Sequence, residues 1–548
     1  MLRSKITKSL MRVLLSKSIN YDEWVISHDY EIALLESVQE ALIDMADSDL
    51  DKHILTNVID GPYSHINIYT DTKLSNFINS KLCNVKEERD FVQQVKSYIT
   101  SDEDKILGIK GLRSTGKTVG ILQAISNVAE CAYIEITDFG CITLQWLLEL
   151  LETDRALLSK RVIVIDEVSN VLDVIEKSKG FDGYRAVNNK RLILSGTNSY
   201  TLVLMDDDAL FHRMRLIDVS FISYKEAVRT QELTLSEYLS NGGIYPTDID
   251  VSTPDGALNY LNIAVVKNVT DTLSLNTKRL SSLGDGAHFY GREREFRTIV
   301  FVLFYAVIFQ QFTKSLTTLK AAIDFGIAEL NRQDFMQKLQ QQFDIDINYV
   351  PQDEDIFSAI RILKDIEVLH EVSNLTSTPY KSRYYICNPV LHSKLIDAIS
   401  TDYLLPTRVT NSQLGTVLES SVIIHLLKFS CQEVNFYDSG NFELDAVIHN
   451  YNTCKIIEVK AKQDIDEALA SSKSFLRADN EVQVRDNVCE KLFICLSDKE
   501  YICNGINEDN IKNVKVKQQY KDLKDYCCDI CVVPADKFLL NTEYYANR

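Results

Sequence analysis

Two stretches of the chain place reactive residues at spacings that chemistry could use. The first is GLRSTGKT, Gly111 to Thr118, which fits G-x-x-x-x-G-K-[ST] between the apolar run KILGIK and the helix-like TVGILQAISNVAE. In that setting glycines let backbone N–H groups curl around phosphates, and the helix N-terminus adds its positive end. Lys117 would then reach the β and γ phosphates, and the Thr118 hydroxyl would face Mg²⁺. Gly111, Arg113, Ser114, Thr115, Gly116, Lys117 and Thr118 are thus the expected nucleotide cradle, with ATP and Mg²⁺ as the expected cofactors. The second stretch, FELDAVIHNYNTCKIIEVK from Phe442 to Lys460, lies far downstream. It raises the question of whether the chain cuts nucleic acid there or keeps the shell of a domain that once did.

Partner residues follow the first stretch. RVIVIDEV leads an apolar run into Asp166 and Glu167 at the C-terminal end of a strand, where open α/β sheets hold their ligands. Asp166 is expected to hold Mg²⁺ through water, and Glu167 to orient and deprotonate the water that attacks a phosphoanhydride. RLILSGTNS offers Ser195, Thr197 or Asn198 as the polar group near the γ phosphate. The choice is open, with Ser195 counted in the nucleotide-binding set. In LFHRMRL, Arg213 or Arg215 would neutralise transition-state charge, from the same chain or from a neighbouring subunit. A structural ion pair suits them equally well.

The elements that must position these residues are legible as pattern. KILGIKG, AYIEI, RVIVID and RLILSG are near-continuous β-type runs alternating with helices, which predicts a doubly wound α/β unit over residues 88–235. Residues 1–87 read mostly as helices with no legible chemistry. Residues 236–405 turn helical again, with a long apolar helix at 296–313 and a helix, IFSAIRILKDIEVLHEV, running into RYYICNP as in a winged helix. Residues 406–548 return to mixed α/β, opening on the helix SQLGTVLESSVIIHLLKF.

Composition narrows the function. At 548 residues and 45% apolar, the chain should fold as several domains. A formal charge of -19 excludes a surface that coats nucleic acid indiscriminately, so any such contact is local; Lys455, Lys462 and Lys473 lie near the second stretch. The 12 cysteines lack paired spacing, which favours reduced thiols and a cytoplasmic setting. CCDIC, Cys527 to Cys531, reads as part of a buried strand in preference to a zinc site completed by Cys489, Cys495 or Cys503. The apolar run Ile299 to Phe309 is about half of a membrane span, so no transmembrane segment is expected. The basic amphipathic start, with Leu2, Ile6, Leu10, Val13 and Leu14 at helical spacing, reads as a helix docked on its own protein, ahead of a transit peptide or a membrane-touching arm.

Taken together, these motifs resemble prokaryotic P-loop ATPases of the AAA class that carry a C-terminal PD-(D/E)XK restriction-endonuclease-like domain. The resemblance covers about residues 88–548. GLRSTGKT matches G-x-R-x-x-GKT, with Arg113 in the arginine slot, and VIVIDE matches the following strand. SGT replaces T-G-S, while LFHR and VSFISYKEAV stand for a leucine-x-glycine-arginine and a P-L-S-F-x-E-F element, histidine replacing glycine and the proline lost. GGIYP, Gly242 to Pro246, follows. The C-terminal half then gives LGTVLES with Glu419, FELDAV with Asp445, and IIEVK with Glu458 and Lys460.

Side chains alternate along a strand, so Glu458 and Lys460 share a face while Val459 points into the packing, and pairing with FELDAVI brings Asp445 beside Glu458. The resemblance implies that Asp445 and Glu458 hold one or two Mg²⁺ ions, that Glu419 completes the shell from its helix, and that Lys460 positions water or the charged transition state. The expected architecture is α/β multidomain: an AAA-type P-loop ATPase, a helical and winged-helix middle region, and a C-terminal restriction-endonuclease-like domain. The expected function is Mg²⁺-dependent ATP hydrolysis controlling a nuclease-like domain that acts on or binds nucleic acid, DNA first, with no membrane partner and homo-oligomerisation open. The alternative is a nucleotide-switched protein-interaction module with an inactive docking domain.

Overall fold

The computed structural model describes residues 65–85, 87–245, 249–275, 280–312, 335–346, 348–375, 382–402, 413–439, 442–450, 453–472, 475, 488–498, 500–503 and 530–547. The N-terminal amphipathic segment, Pro246, Lys473 and Cys527 lie outside them.

Short β-branched runs build the first sheet, in the order β1-β3-β4-β5-β2-β6. Its strands are β1 (Ile66–Thr70), β2 (Ile106–Lys110), β3 (Cys131–Ile136), β4 (Val162–Asp166), β5 (Arg191–Ser195) and β6 (Met214–Asp218). Strands β2 to β6 run parallel, and both faces are covered, as parallel sheets require. Alternation divides each strand between two cores. Leu107, Ile109, Val162 and Val164 pack under helices α1 (Asp71–Leu82), α2 (Asp90–Thr100) and α3 (Lys117–Ile125). Ile106, Ile163 and Ile165 face α4 (Leu144–Thr153), α5 (Lys179–Asn188) and α6 (Ser199–Asp207).

The sheet begins earlier than the sequence boundary at residue 88. Strand β1 lies in the region read as helical, yet it pairs antiparallel with β3, Ile66 opposite Ile136. Five residues of Ile-Asn-Ile-Tyr-Thr are too short to reveal a period, and partnership with β3 decides their conformation.

The middle region contains α7 (Tyr224–Gln231), α8 (Leu235–Asn241), α9 (Pro254–Tyr260), α10 (Glu293–Phe312) and α11 (Asp353–Asp365). Helix α11 runs into the hairpin β7 (Leu369–Ser373) and β8 (Ser382–Ile386), followed by α12 (Pro389–Asp402). After α8, the GGIY segment threads against the start of α12: Val390 N–H donates to the Gly242 carbonyl at 3.0 Å, and the Asn388 amide to the Gly243 carbonyl at 3.2 Å. Gly243 has φ +96°, and a Cβ there would stand 2.8 Å from Pro389 Cδ, so both backbone and space require glycine.

Helix α13 (Gln413–Phe429) opens the last unit and is buried along most of its length. Its sheet is ordered β13-β14-β12-β11-β10-β9. The strands are β9 (Glu433–Asp438), β10 (Glu443–Asn450), β11 (Thr453–Lys460), β12 (Val488–Cys495), β13 (Tyr501–Cys503) and β14 (Ile530–Pro534), with helix α14 (Ile465–Ala470) after β11. Strands β9, β10 and β11 form an antiparallel meander, and β12 continues parallel to β11. One apolar core runs from Ile106 through α10 and α13 to Ala546, so the ATPase-side sheet, the middle helices and the last sheet are joined by a common interior. No helix among the described residues is long and apolar enough to cross a membrane.

His392, on α12, is buried and neither ring nitrogen has a hydrogen-bond partner among the described residues. Burial lowers its pKa from 6.5 to about 3. The unfolded chain therefore takes up that proton first, and stability drains as pH falls from about 6.5 towards 3, by up to about 1.4 kcal/mol per pH unit. His392→Leu is expected to flatten this slope while leaving stability above pH 7 little changed; urea unfolding at several pH values measures it, and an unaltered acid slope refutes the role.

Candidate functional site

The GLRSTGKT loop joins β2 to α3, with Gly116 at φ +77° turning the chain into the helix. Several elements grip its carbonyls. Tyr260 O–H donates to Arg113 at 2.6 Å, Tyr245 N–H donates to Ser114 at 2.8 Å, and an Arg89 Nη1–H donates to Thr115. The Ser199 hydroxyl accepts from Gly111 N–H at 2.9 Å and lies 2.8 Å from the Gly111 carbonyl. Lys117 is buried, its ammonium donating to the carbonyls of Gly111 at 2.7 Å and Leu112 at 2.8 Å. Burial lowers its pKa, opposed by Glu167 and Asp166. A polyphosphate seated in the loop would take over that ammonium. The Arg113 side chain is exposed at the rim.

One strand, β5, separates β2 from β4, so the residues after β5 lie between the loop and the acidic pair. Asp166 Oδ2 accepts from Thr118 Oγ1 at 2.8 Å and from the Tyr133 hydroxyl at 2.5 Å. This hydroxyl and carboxylate are hard oxygen donors suited to Mg²⁺. Glu167 leaves β4 in a left-handed conformation, φ 57°, and its carboxylate accepts from Thr197 N–H at 2.8 Å and from the Thr197 hydroxyl. Burial, then the neighbouring Asp166, raises its pKa. Of the three open positions, Thr197 is the one that touches Glu167. The Ser195 hydroxyl is buried with no hydrogen-bond partner among the described residues.

Of the roles open to Arg213 and Arg215, the structure removes contact with the nucleotide of the same chain and shows the ion pairs. Arg213 immediately precedes β6, and Met214 pairs with Ile106, the first residue of β2. Parallel pairing puts Arg213 at the edge of the sheet opposite the loop, where it bonds Asp182 at 3.0 Å; Arg215 pairs with Glu103 at 3.3 Å. Neither reaches the nucleotide site of its own chain. The arginine that reaches the loop from outside it is Arg89, which no motif in the sequence signals. It is buried against Glu226, Nε to Oε1 at 2.7 Å and Nη2 to Oε2 at 3.0 Å. Ser223-Tyr-Lys-Glu226 reads as a capping box, and Ser223 does cap α7; Glu226, however, turns to Arg89 and to the Asp90 N–H.

The second stretch forms the hairpin β10–β11. Regular pairing reaches Ala446 and Ile457, and β10 has an irregular register with β9 between Leu444 and Val447. Just past that pair the Asp445 carboxylate accepts Val459 N–H at 2.9 Å. This bond draws Asp445 to Lys460 Nζ at 3.6 Å, and Lys460 lies 2.6 Å from Glu458 Oε1. Burial alone would lower the Lys460 pKa, but Asp445 and Glu458 together raise it. Glu419, from α13, is partly buried beside them, and desolvation followed by the Asp445 charge raises its pKa to about 7.

Two further residues come from the β8 strand of the middle hairpin. Tyr385 O–H donates to Glu419 Oε1 at 3.4 Å, and Arg383 pairs with Glu443 while its guanidinium lies 4.4 Å from the Phe436 ring centre. Nothing local in SRYYI signals this, because the partners lie in another element. Among the described residues no three Asp, Glu, His or Cys side chains form a group that could hold a metal ion, so Glu419 does not complete a shell and Asp445 and Glu458 stand as a pair. The Lys460 ammonium stands between Asp445 and Glu458 instead. Lys455, expected near nucleic acid, is buried and committed to the Tyr545 carbonyl at 2.8 Å and to Glu490 at 3.1 Å; Lys462 pairs with Glu467 at 2.8 Å.

A family model described as an AAA domain matches residues 103–228. This segment is an AAA-class P-loop ATPase domain. Such a domain binds ATP, usually with Mg²⁺, and Thr118 and Asp166 supply donors that fit that ion. No curated protein matches the sequence. Among solved structures, a Walker-type ATPase of Pyrococcus abyssi is similar at 12% identity and TM-score 0.29, over 56% of this chain and 95% of its own. The S. cerevisiae Hsp104–ADP complex is similar at 13% identity and TM-score 0.24, over 66% of this chain and 51% of its own.

Arg89→Ala strands a buried carboxylate and is expected to lower stability by about 3–5 kcal/mol. A loss of about 1 kcal/mol or less in urea unfolding, the size of an exposed pair, would show that the pair is not buried in solution.

Proposed function

We propose that the protein is an Mg²⁺-dependent ATPase whose nucleotide state controls a nuclease-like C-terminal unit that binds or cuts nucleic acid, DNA first. The observation that carries this reading is the meeting of Asp445, Glu458 and Lys460 where β10 and β11 part, with Glu419 beside them, in a chain that also holds an AAA domain. Asp445 and Glu458 are the residues that would hold a divalent cation, which would supply a bound water of lowered pKa. Lys460 would withdraw from between them to bear on phosphate charge. At the ATPase end, Lys117 would grip the phosphates, Thr118 and Asp166 would hold Mg²⁺, and Glu167, once released by Thr197, would take the proton from the attacking water.

Lys460 also supports a second reading. With its ammonium seated between the carboxylates, the C-terminal unit would serve as a nucleotide-switched docking surface that does not cut.

Lys117→Ala is expected to abolish nucleotide binding, whereas Glu167→Gln should bind ATP and lose about 10²–10⁴-fold in turnover. Unchanged turnover in Glu167→Gln removes its role as base. Labelled single- and double-stranded DNA and RNA, incubated with Mg²⁺ or Mn²⁺ with and without ATP, test the other end. Cleavage by the wild type that is lost in Glu458→Ala/Lys460→Ala supports the nuclease; no cleavage of any substrate favours the docking reading.

A further inference from the structure

The first turn of α7 touches both the arginine that holds the nucleotide loop and the helix that carries Glu419. Its Glu226 holds Arg89, and Arg89 holds the Thr115 carbonyl inside the nucleotide loop and the Val219 carbonyl at 3.2 Å. On the same turn, Tyr224 N–H donates to His425 Nε2 at 3.0 Å. His425 Nδ1 donates to the Ser421 carbonyl at 2.6 Å, which leaves Nε2 as the acceptor. The ring is fully buried among Phe221, Tyr238 and Phe429. It belongs to α13, the helix that carries Glu419, and lies about 9 Å along the axis from it at 1.5 Å per residue.

A second fastening lies one turn further along α13. Lys428 Nζ donates to Asp218 at 3.3 Å and to Glu367 at 2.8 Å. Asp218 ends β6 and pairs with Lys110, the residue immediately before the nucleotide loop. Lys110 Nζ donates to the Asp365 carbonyl at 2.7 Å, beside Glu367. Helix α13 is thus tied to both ends of the loop's support: through α7 to Thr115, and through the strand ends to Lys110.

Seating a nucleotide must alter this support. The Lys117 ammonium turns from the Gly111 and Leu112 carbonyls to phosphate, which leaves those carbonyls to the Ser199 and Thr115 hydroxyls that also reach them at 2.8 Å, and Thr115 is the residue whose carbonyl Arg89 holds. We propose that α13 is the transmission element between the two sites. Arg89 and Glu226 pass the loop's rearrangement to α7, and His425 and Lys428 pass it to α13, resetting Glu419 against Asp445. Arg89, Glu226, His425 and Lys428 are positioning residues in this scheme, none of them touching a reacting atom. The scheme rests on the reading that ATP binds at residues 111–118; it does not require that the C-terminal unit cut anything. Coupling of this kind is reciprocal, so what loosens α13 also alters nucleotide affinity.

The test is amide hydrogen exchange by mass spectrometry on the full chain, with Mg²⁺ and with or without a non-hydrolysable ATP analogue, alongside the analogue's binding constant. In the wild type the analogue should change exchange over residues 413–429 as well as around the loop. His425→Leu and Lys428→Met should each still bind the analogue, lose most of the change over 413–429, and shift nucleotide affinity by about five-fold or more. His425→Gln, which keeps an acceptor for Tyr224 N–H, should retain the response. Lys428 is partly exposed, so Lys428→Met carries the test if His425→Leu fails to fold. Analogue binding that leaves 413–429 unchanged in the wild type, or a full response in both variants, overturns the coupling while leaving the nucleotide site intact. Failure of the wild type to bind the analogue overturns both.

Discussion

A guanidinium and a carboxylate held away from water, Arg89 and Glu226, are the constraint on which the ATPase end depends. Taking both charges out of solvent is costly, and the cost is offset only if every donor and acceptor finds a partner. Arg89 meets that condition by reaching Glu226 and the carbonyls of Thr115, Val219 and Phe221 together. The pair therefore adds little to stability compared with an apolar pair of the same shape. What it specifies is position, because few arrangements of the loop, the end of β6 and the start of α7 satisfy so many bonds at once.

Around that fixed loop, the acidic end of β4 is organised by its neighbours. Tyr133 from β3 and Thr118 from α3 share one Asp166 oxygen, and Thr197 from beyond β5 takes both oxygens of Glu167. The two carboxylates are adjacent in sequence but held from opposite sides, which in the proposed function would separate the tasks of holding a cation and accepting a proton. At the C-terminal cluster the logic differs. There, two cationic side chains, Arg383 and Lys460, come from different elements and balance part of the charge of Glu419, Glu443, Asp445 and Glu458.

Features set by local pattern were legible in the sequence. The strands KILGIK, VIVID and RLILS, the loop with Lys117 and Thr118, and the hairpin carrying Asp445, Glu458 and Lys460 all follow from alternation or motif spacing, which a short window contains. Contacts between distant segments were not. Arg89 meets Glu226 across 137 residues, Tyr224 meets His425 across 201, and Arg383 meets Glu443 across 60. No periodicity encodes such pairings. The same blindness left the role of Arg213 open between a phosphate contact and an ion pair, because only strand direction shows that it lies at the edge away from its own chain's loop.

The middle hairpin also settles how the last sheet ends. Strand β9 lies at its margin, and its Phe436 carbonyl accepts Leu375 N–H at 2.8 Å, while the Asn374 side chain brackets the Asp438 backbone with bonds of 2.8 and 3.0 Å. An open strand margin invites pairing with another chain. Here the residues after β7 occupy part of that margin, so the C-terminal sheet relies on the middle region as a chaperone in cis. A C-terminal unit cut away from the middle region would present that part of the β9 edge to solvent and to other chains.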